Sequence, residues 1–483
     1  MESIASRLGY EAWDERIVEI LDSEDELKGM RRHFHIPPSS SSSLSLESLS
    51  QATNVEKSIY MCGNSLGCMP IRARHYVSAE LDKWATLGVE GHFDEPLPWV
   101  SIDESVRDGS ARLVGAKREE VVVMNSLTVN LHLMMVSFYR PNKLSGKVKI
   151  LVEEKAFPSD MHMLESQVRY HGLDPEEVIV KLAPRPNDLT LRVEDIIETI
   201  TRLGDPSRAS ASSLTASNED EVPVGTGELA LVLMSGVQYY TGQFFDIEGI
   251  SKAARQAGAM CGWDLAHAVG NVPLNLHDDG PDFACWCTYK YLNSGPGNIA
   301  GCFIHERHGS HTDLESLPRF AGWWGHRKED RFLMAPKFVP SQGAQGFMCS
   351  NPPVLCCATL RASLECFEEA GGIVAIRRKS ILLTGFLEEL LESDVVLREN
   401  VKVFTPRDHR ARGCQLSLAF KGGGVEEVNR RLAIAGVICD VRKPDVMRVA
   451  PAPLYNSFAD VRSFAFILKE TLMSISRERC DGV

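Results

Sequence analysis

The chain has 483 residues, 44% hydrophobic and 24% charged, and its 52 Lys and Arg against 65 Asp and Glu leave a net charge of −13. That length exceeds one simple core and implies two domains of ordinary globular composition. The acidic balance argues against nucleic acid or an anionic membrane surface as partner, since either repels an acidic body, and leaves open a local basic pocket for a small anion. The thirteen cysteines are scattered without a CxxC pair, which offers neither a zinc site nor a disulfide scaffold and reads as reduced thiols in a cytoplasmic protein. The charged start is no signal peptide, and no stretch approaches the ~20 apolar residues that span a bilayer.

In chain order, residues 1–60 read as a helical arm that packs with the C-terminal domain and carries the serine-rich run Ser39 to Ser50. Such a composition cannot bury enough surface to offset ordering entropy, so it predicts a mobile surface loop, as does the Asp-, Ser- and Pro-bearing stretch Gly204 to Gly227. Between residues 61 and 345 short apolar runs alternate with amphipathic ones. Val121–Met124, Val148–Val152, Leu229–Met234, Met260–Trp263, Phe283–Cys287 and Ile299–Ile304 predict buried strands. Leu127–Phe138, Val193–Leu203 and Ile247–Ala259 predict helices, the first with Leu127, Leu131, Met134 and Phe138 on one face. The alternation predicts a large α/β domain with a mostly parallel central sheet, whose ligands sit beyond the carboxyl ends of the strands. From residue 346 to 483 the pattern changes. Two long helices, Pro353–Ala370 and Ile373–Ser393, precede the strand-like runs Val401–Phe404 and Gln415–Phe420, a smaller C-terminal α+β domain.

Four stretches lie where the predicted strands end. Lys290 follows Phe283–Cys287 and precedes a Gly/Pro-rich turn. Burial disfavours an ammonium, and a neutral amine is what condenses with an aldehyde; a surface lysine opening a loop fits the same residues. Asp264 closes the run Met260–Trp263, with His267 just after it. A carboxylate on one strand end and a lysine on a later one meet the needs of pyridoxal 5'-phosphate (PLP), whose protonated pyridine ring is an electron sink. A helix N-cap for Asp264 and a packing role for His267 are the plainer accounts. Asn125-Ser-Leu-Thr128 stands at a strand-to-helix junction, where free N–H groups and a hydroxyl either bind an anion such as the cofactor phosphate or simply cap the helix. Phe157-Pro-Ser-Asp160 follows Val148–Val152. Phe157 suits stacking on a flat ring and Asp160 a second carboxylate at its nitrogen, unless the stretch is a turn with an exposed acid.

Together these strings resemble the kynureninase family of PLP enzymes over Tyr60 to Phe466. Further family-like strings are Gly63-Asn-Ser65-Leu-Gly67, Leu233-Met-Ser235-Gly-Val237, Gly322-Trp323-Trp324-Gly-His326, Ser350-Asn351-Pro-Pro353 and Met447-Arg448-Val-Ala-Pro451. The resemblance implies a PLP-dependent transferase fold of type I, with PLP covalently on Lys290, which also shuttles the substrate α-proton. It implies that Asp264, with Asp160, faces the ring nitrogen and that Phe157 stacks on the ring. Leu127 and Thr128 hold the phosphate, to which Tyr289 hydrogen-bonds, while Pro158, Ser159, Ser235 and His267 complete the cofactor site. Trp323 and Asn351 reach the cofactor of the neighbouring subunit in a homodimer. Arg448 clamps the substrate α-carboxylate with its guanidinium fork, and Ser65, His92, Trp324 and Asn351 line the pocket for the aromatic ring. Surface ion pairing for Arg448 and core packing for the tryptophan pair are the alternatives. Trp324 stands where the family often has phenylalanine, which leaves the choice between kynurenine and 3-hydroxykynurenine open.

The implied activity is hydrolysis of the Cβ–Cγ bond of L-kynurenine, and of its 3-hydroxy form, to the anthranilate and L-alanine, within tryptophan breakdown and NAD synthesis. No metal is required. Three other readings compete: a cysteine desulfurase using Cys349, a cofactor-free scaffold of the same fold, and a nucleotide-binding oxidoreductase. The scaffold needs none of Lys290, Asp264, Thr128 and Arg448, and the glycines at 295, 297 and 301 lack the G-x-G-x-x-G order.

Overall fold

The computed structural model describes residues 4–39, 57–208, 227–309, 317–334 and 336–481. The serine-rich run beyond Ser39 and the middle of the second insert lie outside them. Among the described residues the larger sheet has seven strands: β1 Val121–Met124, β2 Lys149–Glu153, β3 Ile179–Leu182, β4 Leu229–Ser235, β5 Met260–Asp264, β6 Phe283–Trp286 and β7 Ala300–Ile304. Their spatial order is β1-β7-β6-β5-β4-β2-β3. β7 is antiparallel to both its neighbours and the other pairs are parallel, so every strand but β7 points the same way.

The strand period of two explains why the middles of the central strands are apolar at successive positions. Val121, Val123, Leu151, Val232, Met234 and Trp263 join a core on one face of the sheet. Their neighbours Val122, Met124, Ile150, Val152, Leu231 and Leu233 join a core on the other. Each such side chain contributes roughly 1.5–3 kcal/mol on leaving water, so the sheet is held from both sides.

The helices used below are α1 Glu15–Glu24, α2 Ile71–Leu87, α3 Leu127–Phe138, α4 Pro158–Tyr170, α5 Val193–Gly204, α6 Ile247–Gln256, α7 Val354–Glu369, α8 Gly372–Ser393 and α9 Phe458–Asp481. Helix α3 has the bounds predicted for it. Helix α6 stops short of Ala259 because Gly258, at φ +69°, takes the left-handed conformation that ends helices. Helices α2, α4 and α9 and strand β3 have no counterpart among the predicted elements.

A second, antiparallel sheet comprises β8 Val401–Val403, β9 Leu416–Phe420, β10 Asp440–Arg442 and β11 Val446–Val449, in the order β8-β9-β11-β10. Ile4, Ala5, Ile17 and Leu21 of the N-terminal segment share its core with Leu383, Phe386, Leu418, Met447 and Phe464. Asp22 of α1 fastens this segment by accepting the N–H groups of Phe458 and Ala459 at 2.8 and 3.1 Å, which satisfies the start of α9. Because the parallel strands share one direction, Asn125, Glu153, Ser235 and Asp264 all emerge at the same edge of the larger sheet.

Candidate active site

The first wall of the site is made by two helix N-termini. Asn125, in the left-handed region at φ +47°, turns the chain sharply from β1 into α3. Its amide donates to Asn130 Oδ1 at 2.9 Å, and the buried Asn130 amide donates to the Met124 carbonyl at 2.9 Å, so the junction is locked by two side-chain amides. Ser126 makes no side-chain cap, which leaves the first N–H groups of α3 to a ligand. Pro158 opens α4 at the one helical position where a missing N–H is harmless. Thr128 Oγ1 and Ser159 Oγ lie 2.8 Å apart, and Gln167 Nε2 meets His132 Nδ1 at 2.8 Å, tying α3 to α4. Two positive helix ends and two hydroxyls in one place form an anion site.

Facing it is a cavity of about 190 Å³ lined by Leu127, Thr128, Phe157, Ser159, Asp160, Ser235, Asp264, His267, Tyr289 and Lys290, together with Ser126, Val237, Tyr239 and Ala266. Asp160 is only 6% exposed, so the reading of its stretch as a turn with an exposed acid is wrong. It hydrogen-bonds Asp264; burial first, and then the charge of Asp264, holds the Asp160 carboxyl well above the usual range. The Asp160 carboxyl is therefore held protonated beside Asp264. Asp264 Oδ1 accepts the Ala266 N–H at 2.8 Å within a turn rather than at a helix start, so the helix-cap account of Asp264 also fails.

Lys290 Nζ lies 2.9 Å from His267 Nε2. Burial, reinforced by the charges of Lys290, Arg448 and Arg442, keeps His267 well below its ordinary pKa, so its imidazole is neutral and accepts from the amine. The amine sits 5.9 Å from the ring centres of both Phe157 and Tyr289. Burial also pushes the Tyr289 phenol up, which keeps it a donor. The loop holding Ser65 packs against this segment: Gly67 N donates to the Tyr289 carbonyl at 2.9 Å, and a Cβ at Gly67 would overlap the Lys290 carbonyl.

The remaining predicted residues stand outside the cavity. Arg448 is 1% exposed, which removes the surface ion-pair account. Its Nη2 pairs with Asp440, its cross-strand neighbour on β10, its Nη1 donates to the Tyr239 carbonyl at 3.1 Å, and its Nε has no partner. Arg442 shares the same carboxylate at 2.8 Å, so two guanidiniums face one anion. The surplus positive charge lies beside Tyr239, which lines the cavity, and suits a carboxylate ligand. Trp324 is buried in the core of the sheet with Arg331 over its ring at 4.5 Å, whereas Trp323 is 46% exposed and Asn351 is exposed. His92 Nδ1 meets the Val89 carbonyl at 3.0 Å, and its ring is edge-on to Trp99. Cys349 Sγ reaches the Phe320 carbonyl, and burial raises its thiol, the reverse of what a reactive thiol needs. Glu153, Tyr239, Asp440 and Arg442 were not anticipated; Glu153 carries the same signal as Asp264, an acid closing an apolar strand. A larger cavity of about 510 Å³ lies alongside, between Leu182–Leu191 and the smaller sheet, and none of the predicted residues lines it.

This sheet, with an amine and a carboxyl pair at the edge where its parallel strands end, defines a PLP-dependent enzyme of fold type I. The apo cysteine desulfurase of Thermococcus onnurineus superposes with a TM-score of 0.66 at 17% identity, covering 86% of this chain and 95% of that one. A C-DES mutant with glycine covalently linked to its PLP cofactor gives 0.66 at 14% identity, covering 89% and 100%. Residues 376–468 match the family model of the kynureninase C-terminal domain. Kynureninase of Myxococcus xanthus is 51% identical over 449 residues, 93% of this chain and 95% of its own. That of Nematostella vectensis is 45% identical over 485 residues, 99% and 98%. The chain belongs to the kynureninase family.

Proposed function

We propose that this cavity holds PLP on Lys290 and that the enzyme hydrolyses the Cβ–Cγ bond of L-kynurenine to anthranilate and L-alanine. Identity of 45–51% to kynureninases over nearly the whole chain supports the activity. The observation that carries the site is one cavity lined by a lysine, a carboxyl pair, an aromatic face and two helix N-termini. The donor set fits the cofactor: uncapped N–H groups for a phosphate, a carboxyl pair for a ring nitrogen, an amine for an aldehyde. Bound there, PLP supplies an electron sink for negative charge developing on the substrate carbons.

The chain's own groups do the rest. Leu127 and Thr128 of α3, with Ser159 of α4, would hold the phosphate at two helix N-termini, and Tyr289 Oη would donate to it. Asp160, held protonated, and Asp264 would face the ring nitrogen, and Phe157 would cover the ring. Lys290 Nζ, steadied by the neutral His267, takes and returns the substrate α-proton. Arg448 orients the α-carboxylate.

The reading includes a homodimer. Phe93 meets Phe332 at 5.8 Å and Phe332 meets Trp323 at 5.4 Å. These three rings are exposed together, an apolar patch of a kind that marks an interface, and Trp84, Val89 and Leu333, near them in the chain, are exposed as well. A second copy seated there carries Trp323 and Asn351 toward its partner's cofactor, with Ser65, His92 and Trp324 near the aryl ring. Residues 61–345 then form the cofactor domain and 346–483 the smaller one, in a cytoplasmic enzyme of tryptophan breakdown and NAD synthesis. No helix among the described residues is long and apolar enough to cross a membrane. Incubating the PLP-saturated protein with L-kynurenine and with its 3-hydroxy form, while following anthranilate fluorescence and alanine, tests the activity and ranks the two substrates. Absence of product from both contradicts it.

A further inference from the structure

We propose that Glu153 is a positioning residue of this site: as an uncharged acid it fixes the Ser235 hydroxyl in the cavity wall and leaves the carboxyl pair its single negative charge. Glu153 closes β2 and is 3% exposed. Its Oε1 accepts both the hydroxyl and the N–H of Ser235, the latter at 3.3 Å. Ser235 lines the cavity and stands opposite Asp264 in the pairing of β4 with β5. One carboxyl thus reaches the cavity through a neighbour's hydroxyl and touches nothing in it directly.

The surroundings decide its charge. Asp264 from β5, Asp160 from α4 and Tyr239 from the segment after β4 are the titratable groups that sense Glu153. Among the described residues no Lys, Arg or His forms an ion pair with it. Lys290, the cation whose charge Asp160 senses, is engaged with His267. A buried carboxylate without a cation takes up a proton instead. Oε2 has no hydrogen-bond partner and no contact with water; that is costly for a neutral hydroxyl and far costlier for half of a carboxylate. Burial foremost, and then Asp264, accordingly raises Glu153 above the usual range.

Two consequences follow. The Ser235 proton is committed to Glu153, so the serine oxygen turns lone pairs toward the cavity and acts there as an acceptor. The three acids together carry one negative charge, which matches one protonated ring nitrogen.

These consequences rest on the PLP reading of the cavity, whereas the protonation does not. Glu153→Gln keeps the volume and the carbonyl acceptor; Glu153→Leu removes the acceptor. The infrared difference between wild type and Glu153→Gln at neutral pH reads the proton directly and should show loss of a protonated-carboxyl band. In the holoenzyme, Glu153→Gln should keep the pH titration of the visible cofactor band. Glu153→Leu should weaken cofactor binding roughly tenfold, the effect of a buried hydroxyl left without its acceptor. Adding Ser235→Ala to Glu153→Leu should cost nothing more. Absence of the infrared band, or a Gln variant whose visible titration moves, overturns the proposal. Should the leucine variant fail to fold, the glutamine results decide. A wild-type protein that never develops a cofactor band sinks the PLP reading and leaves the infrared result standing.

Discussion

Arg448→Lys keeps one positive charge on β11 and removes the guanidinium fork. In the free enzyme that fork spends Nη2 on Asp440 and Nη1 on the Tyr239 carbonyl at 3.1 Å, and leaves Nε unpartnered. A lysine offers one nitrogen. It can retain Asp440, which also keeps Arg442 at 2.8 Å, so no buried carboxylate is stranded and the fold loses only the guanidinium-to-carbonyl hydrogen bond at Tyr239, about 1.5 kcal/mol. The substrate loses more. The buried, unpartnered Nε is the donor that the assignment leaves to its α-carboxylate, and a charge-assisted hydrogen bond is worth about 1.5–3 kcal/mol, roughly 10- to 150-fold in affinity. The assay is anthranilate release over a range of kynurenine at saturating PLP, beside the visible spectrum of the enzyme without substrate. KM should rise by that factor, kcat should change by less than about tenfold, and the cofactor band should stay put. An unchanged KM, or loss of the cofactor band, refutes the assignment.

Asp160→Asn should keep the cofactor and kcat within about tenfold, because that residue already carries a proton, whereas Asp264→Asn should lower kcat roughly 10²- to 10³-fold; equal losses would contradict the division of labour. For His267, the folded-state pKa lies well below 6.5, so below pH 6.5 the unfolded chain binds a proton that the folded one refuses. Stability therefore falls as the pH drops through 6.5, by at most ~1.4 kcal/mol per pH unit from this group. His267→Asn should flatten that slope in urea melts at pH 7.5, 6.5 and 5.5, and parallel slopes argue against it. Glutamates at Trp84 and Phe93 should yield an inactive monomer by sedimentation; an active monomer contradicts the shared site.

What the sequence made legible follows the physics of each element. β1, β2 and β4 to β7 were readable because strands buried on both faces are apolar at every position. β3, at the sheet edge, alternates Val180 with the exposed Lys181 and gives no such run. Helix α4 was hidden because its proline reads as a turn, although proline at the first helical position starts helices. The residues that line the proposed cofactor cavity were legible because they end or closely follow strands that enter one edge. Arg448 was nameable, but its burial against Asp440 depends on the pairing of β10 with β11, which no local pattern carries. Ser65, His92, Trp323 and Asn351 were named from motif alone, and one copy of the chain does not bring them into its own cavity.

The central claim is that the Lys290 amine carries the cofactor. Borohydride reduction of the holoenzyme, followed by digestion and mass spectrometry, tests it most directly. The account predicts a stable pyridoxyl adduct on the peptide containing Lys290, and a colourless, unlabelled Lys290→Ala variant. An adduct on another lysine, or none on a yellow protein, contradicts it.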